Sequence, residues 1–122
     1  MAVGYFFDSY AIIELTNGNP RYARFSDEVI TLTIFNLVEI TYSAFLQMGE
    51  EKAQETYRKF LECVQNIDEE IVFEALQLKQ KYKKRDLSYT DCLGYAFAKQ
   101  RNLRFLTGDR QFEDIDNVEY VK

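Results

Sequence analysis

The chain contains no histidine. That absence excludes histidine acid–base catalysis, Ser-His-Asp triads and histidine-ligated zinc. Cysteine is nearly absent too: Cys63 and Cys92 are the two among 122 residues. Far apart in sequence, they suit neither a zinc site nor a disulfide framework, and read as buried thiols in a reducing compartment, the cytoplasm. The single proline, Pro20, sits in the clearest loop of the chain, Thr16-Asn17-Gly18-Asn19-Pro20. No apolar run approaches the roughly 18 residues of a membrane span. No basic segment followed by an apolar run marks a signal peptide, so a cytosolic chain without a membrane segment is the expectation. Positive charge is the scarcer sign, with 15 Lys and Arg against 20 Asp and Glu and a net charge of -5. This argues against holding nucleic acid by a general basic surface, yet permits a local acidic cluster that takes up divalent cations.

What is present is a core. The sequence is 47% hydrophobic and 16% aromatic, which excludes disorder, and its length suits one domain over residues 1–122. Ala2 to Phe7 is a short apolar, aromatic run that reads as a buried strand, ended by Asp8-Ser9, with a helix over Tyr10 to Leu15. After the proline loop, Arg21 to Phe25 suits a short helix, since proline favours a helix start. Glu28 to Leu32 is β-branched and apolar, and predicts a second strand.

Thr33 suits the cap of a helix over Phe35 to Met48, with Leu37, Ile40, Ala44 and Met48 at helical spacing. Glu39 lies early in that helix on another face, and Gly49 ends it. Glu51 to Val64 predicts the next helix, with Ala53, Tyr57, Phe60 and Val64 on one face. Asp68 caps another, with Ile71, Ala75, Leu78 and Tyr82 recurring and a basic end, Lys81-Tyr82-Lys83-Lys84-Arg85, suited to the helix dipole.

The chain is organised around Leu87 to Asp109. Ser88 and Asp91 form a capping-box pattern at the start of a helix rich in small and apolar residues, with Asn102 as its stop. Leu103, Phe105 and Leu106 then make a buried strand broken by Thr107-Gly108-Asp109. A turn over Gln111 to Ile115 and a last strand over Val118 to Val121 complete the chain. Strands alternating with helices predict an α/β fold with a mainly parallel sheet covered on both faces.

In such a sheet, strand ends and the helix starts that follow them share one edge. Four carboxylates fall there: Asp8, Glu39, Asp91 and Asp109. Each has a plainer explanation alone, as a cap, a turn residue or a solvated helix residue. Together they would repel, and a divalent cation relieves that repulsion. Oxygen-only donors favour Mg²⁺ or Mn²⁺ over zinc, and such a site hydrolyses phosphodiesters without histidine.

The ordered motifs resemble those of the PIN-domain family, in particular its small single-domain VapC-type toxins. FFDSYAII carries Asp8, NLVEITY carries Glu39, and SYTDCLGYAFAKQRNLRFLTGDRQF carries Asp91 and Asp109. The resemblance implies a three-layer α/β/α fold. It further implies a Mg²⁺- or Mn²⁺-dependent ribonuclease, with those four positions as metal ligands and catalytic residues. Ser9 and Thr107 match supporting hydroxyl positions, and a homodimer and a small antitoxin partner are implied as well. The alternative within the resemblance is a non-catalytic module that binds RNA or protein. A phosphoacceptor domain shares the length and acidity, but it needs a Lys after a late strand where Thr107-Gly108-Asp109 has none.

Around this set, Lys79, Lys81, Lys83, Lys84 and Arg85 form a basic run, and Arg104 and Arg110 flank the last acidic motif. All are expected either to be solvated or to steady an RNA backbone. Tyr10, Tyr42 and Tyr89 lie near the acidic motifs, where base stacking is one role, although among nine tyrosines core packing or a dimer interface is the readier one. Glu113, Asp114 and Asp116 stand near Asp109, where one of them suits a metal or its water shell and a capped turn explains them equally well.

Overall fold

The computed structural model describes residues 3–122, so the first residue of the strand expected from Ala2 lies outside the described residues. Three short strands, β1 (Tyr5–Phe7), β2 (Arg104–Thr107) and β3 (Val118–Tyr120), form one sheet in the order β1-β2-β3, and both pairings are parallel. Five α-helices surround it: α1 (Ser9–Thr16), α2 (Ile34–Met48), α3 (Glu50–Leu61), α4 (Glu69–Lys81) and α5 (Tyr89–Gln100). Short 3-10 turns at Pro20–Phe25 and Arg110–Phe112 fill the loops.

The alternation of strand side chains builds the layers. Phe6, Phe105 and Val118 are in register and face α4 and α5, where they meet Ile71, Ala75, Ala96 and Phe97. Phe7 and Leu106 face the other way, onto Ile12, Tyr22, Leu37 and Phe60. The expected three-layer α/β/α fold follows from this alternation. Gly94 allows α5 to lie close on the sheet, because a Cβ there would stand 2.7 Å from the Phe6 ring.

Helix ends agree with their local chemistry. Thr33–Asn36 and Ser88–Asp91 each close a reciprocal capping box, Asp68 accepts from the Ile71 amide, and Asn102 leaves α5 in the left-handed conformation at φ 57°.

Three expectations fail. Glu28 to Leu32 is not a strand; only Leu32 forms a bridge, with Val64. The backbone bonds of this segment are divided. Thr31 carbonyl accepts from Phe7 N–H, whereas Leu32 exchanges bonds with Cys63 and Gln65. No single neighbour offers it a ladder, and Val29, 83% exposed, gains nothing from one. The α3 helix ends at Leu61, so Val64 belongs to that bridge and not to the helix face. Met48 and Tyr57, expected on buried stripes, are exposed.

Candidate metal centre

Parallel pairing brings the carboxyl ends of all three strands to one edge. Asp8 directly follows β1, Thr107-Gly108-Asp109 ends β2, and Lys122 lies two residues beyond β3. The first turn of α5 delivers Asp91 to the same edge. Asp8, Asp91 and Asp109 line one open cleft of about 410 Å³, with Tyr10, and with Arg110 and Lys122 as its cations. Glu39, exposed on α2, stands at the margin and joins the cleft through Ser9.

Asp8 is 4% exposed. It occupies the N-cap position of α1, yet its side chain makes no capping hydrogen bond, so capping does not explain it. The buried Thr107 hydroxyl donates to Asp8 Oδ2 at 2.7 Å and accepts from the Asp109 N–H at 3.0 Å, tying the first and last acidic motifs together. Asp109 in turn accepts from Gln111 N–H at 2.9 Å.

A second chain of bonds runs to Glu39. The Thr33 hydroxyl and amide both donate to Asn36 Oδ1, at 2.8 and 3.0 Å. Asn36 Nδ2 donates to Ser9 Oγ at 3.0 Å, and Ser9 Oγ donates to Glu39 Oε1 at 2.6 Å. Because the Asn36 amide occupies the Ser9 oxygen as an acceptor, the one Ser9 proton goes to Glu39. Asn36 is fully buried and was not among the expected site residues. Its sequence signals were the Thr33-x-x-Asn36 spacing and its place at the head of the motif NLVEITY.

The electrostatics join these carboxylates. Burial first, then the Asp91 charge, pushes the Asp8 carboxyl up to about 8; Glu39 adds to this and the Thr107 hydrogen bond opposes it. Asp91 is raised to about 6 by burial, against the hydrogen bonds from Ser88, with Asp109 and Glu39 adding repulsion. All four expected residues therefore share one field, although each is turned onto a protein donor. Among the described residues no group of three or more stands at direct metal-holding separation. The donor set nonetheless fits a hard divalent cation: it is oxygen-only, acidic and mutually repelling, and Mg²⁺ keeps several waters between itself and its protein ligands.

The structure removes several neighbours from the site. Arg104 lies at the start of β2, at the opposite end of the strand from Asp109, where it bonds the Val118 carbonyl and pairs with Glu119 at 3.3 Å. Arg85 grips Asp114 with two bonds, of 2.7 and 2.9 Å, and Asp116 holds Lys99 and the Tyr95 hydroxyl. Asp114 and Asp116 are thus committed to ion pairs, and the exposed Glu113 does not line the cleft. Tyr42 is exposed on α2, whereas Tyr10 lines the cleft and packs beside Tyr22, with ring centroids 6.4 Å apart.

Comparison with known proteins agrees with this architecture. The PIN-domain family model matches residues 5–118. No curated protein sequence matches the chain. Among solved structures, a toxin–antitoxin complex from Klebsiella pneumoniae superposes with a TM-score of 0.77 at 22% identity, covering 95% of this chain and 96% of that one. VapC20 of Mycobacterium tuberculosis, described as a sarcin-ricin loop cleaving toxin, gives 0.71 at 17% identity over 93% and 92%. VapBC2 of Rickettsia felis, bound to a DNA fragment from its promoter, gives 0.67 at 17% identity over 96% of each chain.

Proposed function

The chain belongs to the PIN-domain family, and from that premise we propose that it is a divalent-metal-dependent ribonuclease of the VapC toxin type, cutting RNA phosphodiester bonds endonucleolytically. The observation that carries the proposal is the convergence of Asp8, Asp91 and Asp109 in one cleft at the carboxyl edge of the sheet, with Glu39 tied to it through Ser9. These four residues would hold Mg²⁺ or Mn²⁺, partly through water. When bound, the ion supplies positive charge for the phosphate and lowers the pKa of a water nucleophile.

The chain's own side chains do the rest. Thr107 holds Asp8 and the Asp109 backbone in fixed relation. Ser9, aimed by Asn36, holds Glu39. Arg110 and Lys122 line the cleft and would meet backbone phosphates of the RNA. In this reading the protein is the toxin of a toxin–antitoxin pair and acts as a homodimer in the cytoplasm. The exposed apolar face of α2, with Val38, Tyr42 and Leu46, supports partner binding. Among the described residues no helix is long and apolar enough to cross a membrane.

The test is a panel of structured and single-stranded RNAs, incubated with Mn²⁺, Mg²⁺ or EDTA beside an Asp91→Asn variant. Asn36 already closes the α2 capping box in the place that Asp91 holds in α5, so asparagine at the α5 position keeps the fold. Cleavage that needs the metal and drops at least about 100-fold in the variant is expected. Equal cleavage by both proteins, or none by the wild type with Mn²⁺ bound, would sink the proposal.

Asn36→Asp provides a finer check. Once ionised, in a buffer above about pH 8, an aspartate keeps both acceptor contacts with Thr33 but cannot donate to Ser9, so the Ser9 proton turns to the introduced carboxylate and Glu39 is released. Mn²⁺ affinity by calorimetry is expected to weaken by roughly 10- to 100-fold, the usual cost of losing a group that orients a ligand. Unchanged affinity would remove Asn36 from the site.

A further inference from the structure

An acidic nuclease with few cations at its cleft needs another grip on its substrate, and the N-terminal turn of α5 offers one. Tyr89 is the first residue of that helix and is 65% exposed, although its ring is a large apolar surface. Its ring is not loose. Lys79 Nζ lies 4.8 Å from the ring centroid and is itself fixed by a 2.6 Å hydrogen bond to the Leu87 carbonyl. The ring forms one wall of an open hollow of about 380 Å³, whose other walls include Lys79, Gln80, Lys83 and Arg85. Arg85 is steadied by Asp114 and lies over the Tyr82 ring at 4.5 Å. Lys83, by contrast, forms no ion pair among the described residues.

In a chain of net charge -5, this places several of the 15 basic residues around one exposed aromatic ring. The combination is that of a single-stranded nucleic-acid subsite: a π-face for a base, braced by Lys79, and one uncommitted ammonium, Lys83, for a phosphate. Such a ring can meet only an unstacked base, so the subsite selects single strands, loops and bulges over duplex.

We propose that Tyr89 is a base-stacking platform, with Lys83 as its phosphate contact, for a nucleotide flanking the scissile linkage of single-stranded RNA. Tyr89 and Asp91 are two positions apart on a helix and face different sides of it. A helix is about 10 Å across with its side chains, so the stacked base is a neighbour of the reacting nucleotide and not the reacting nucleotide itself. The platform serves binding. It is separate from the carboxylate chemistry, although the inference rests on the ribonuclease reading of the cleft.

The test uses the full chain with Tyr89→Phe, Tyr89→Leu and Lys83→Ala, and a short single-stranded RNA carrying 2-aminopurine beside the cleavage position. Leucine keeps apolar bulk against α4 but has no π-face; phenylalanine keeps both. Tyr89→Leu is expected to raise KM for cleavage about tenfold with kcat little changed, and to abolish the quenching of 2-aminopurine on binding to an Asp91→Asn background. Tyr89→Phe is expected to stay within about twofold of the wild type in both readouts. Lys83→Ala is expected to weaken binding and reduce the slope of log affinity against log salt by roughly 0.7, a change Tyr89→Leu does not make. If the wild type cuts this RNA and Tyr89→Leu matches it in KM and quenching, the platform is wrong and the nuclease reading stands. If Tyr89→Phe loses as much as Tyr89→Leu, the hydroxyl and not the ring is responsible, and stacking is overturned. If the wild type neither cuts nor binds any RNA, both readings fall together.

Discussion

Asp8→Asn is expected to abolish RNA cleavage and, in EDTA at about pH 8, to raise the melting temperature by roughly 5 °C. The two effects have one cause. Asp8 is buried beside Asp91, and its carboxyl is pushed from 3.8 up to about 8 in the folded protein. In the unfolded chain it returns to the ordinary carboxylate value near 4. Between those values the folded state binds more protons than the unfolded state, so stability falls as pH rises from about 4 to about 8. Asp91, raised to about 6, adds a second loss confined to the lower part of that range. The wild type is therefore most stable in mild acid and weakest in mild alkali. Asparagine cannot ionise and still accepts the Thr107 hydroxyl, so the variant loses the upper part of the slope and keeps the Asp91 part. Saturating Mn²⁺ should reverse the ranking, because a ligand that binds only the folded state stabilises it, and the variant has lost a ligand. Thermal melts of both proteins across this pH range, with EDTA and with Mn²⁺, check every element. A wild type more stable than Asp8→Asn at about pH 8 in EDTA would show that the Asp8 carboxylate is compensated by a group the geometry does not reveal.

The helix-strand unit around Asp91 was legible because its signals are local. Ser88-x-x-Asp91 spells a capping box, and Asn102 takes the left-handed stop position at φ 57°. The apolar run to Leu106 became β2, and the alternation of Phe105 and Leu106 between the two cores could follow only one pleat. Glu28 to Leu32 carried an equally good strand composition and failed, because a strand is decided by its neighbour. At that edge the partners are divided between Phe7 and the segment after α3, and no composition reports this.

The same division governs the site. Asp8, Asp91 and Asp109 were readable as strand ends and a helix start and line one cleft, whereas the strand expected before Glu39 is absent and that residue, exposed on α2, is joined to the cleft through Ser9. Their supports were readable only where they touch the next motif in obvious ways: Ser9 and Thr107 were expected, Asn36 was not. Asn36 looked like an ordinary polar residue in a helix, and its importance comes from Ser9, 27 positions earlier in the chain. Arg85 and Arg104 seemed free to meet RNA for the converse reason. Their partners, Asp114 and Glu119, lie far enough along the chain that only the fold supplies them. Residue type marks where chemistry can occur; long-range pairing decides which charges remain available for it.

Gly108→Ala is the substitution expected to do most damage to the fold around the site. A Cβ at this buried position would lie 2.1 Å from Tyr10 Cε1 and 2.5 Å from the Val121 carbonyl oxygen. The Val121 backbone cannot yield cheaply, and the half-buried Tyr10 ring yields only by swinging toward the cleft. Val121 is held by its own N–H bond to the Thr107 carbonyl at 2.9 Å and by the Tyr22 hydroxyl, which donates to its carbonyl at 2.6 Å. Tyr10 packs beside Tyr22, which is fully buried in the same cluster. The strand end must therefore move, and with it Thr107 and Asp109 on either side. The expected cost is about 3 kcal/mol of unfolding free energy, at the upper end of ordinary overpacking because one clash is with backbone. Cleavage should drop by about 100-fold even in molecules that remain folded, since a shift of about 1 Å in a positioned group costs that much. Urea unfolding and cleavage at low temperature separate the two effects. Tyr10→Ala in the same chain should recover part of the stability, by opening the 2.1 Å contact, and none of the share that belongs to Val121. If Gly108→Ala unfolds within about 0.5 kcal/mol of the wild type, the turn is compliant, and Asp109 cannot owe its place in the cleft to a rigid strand end.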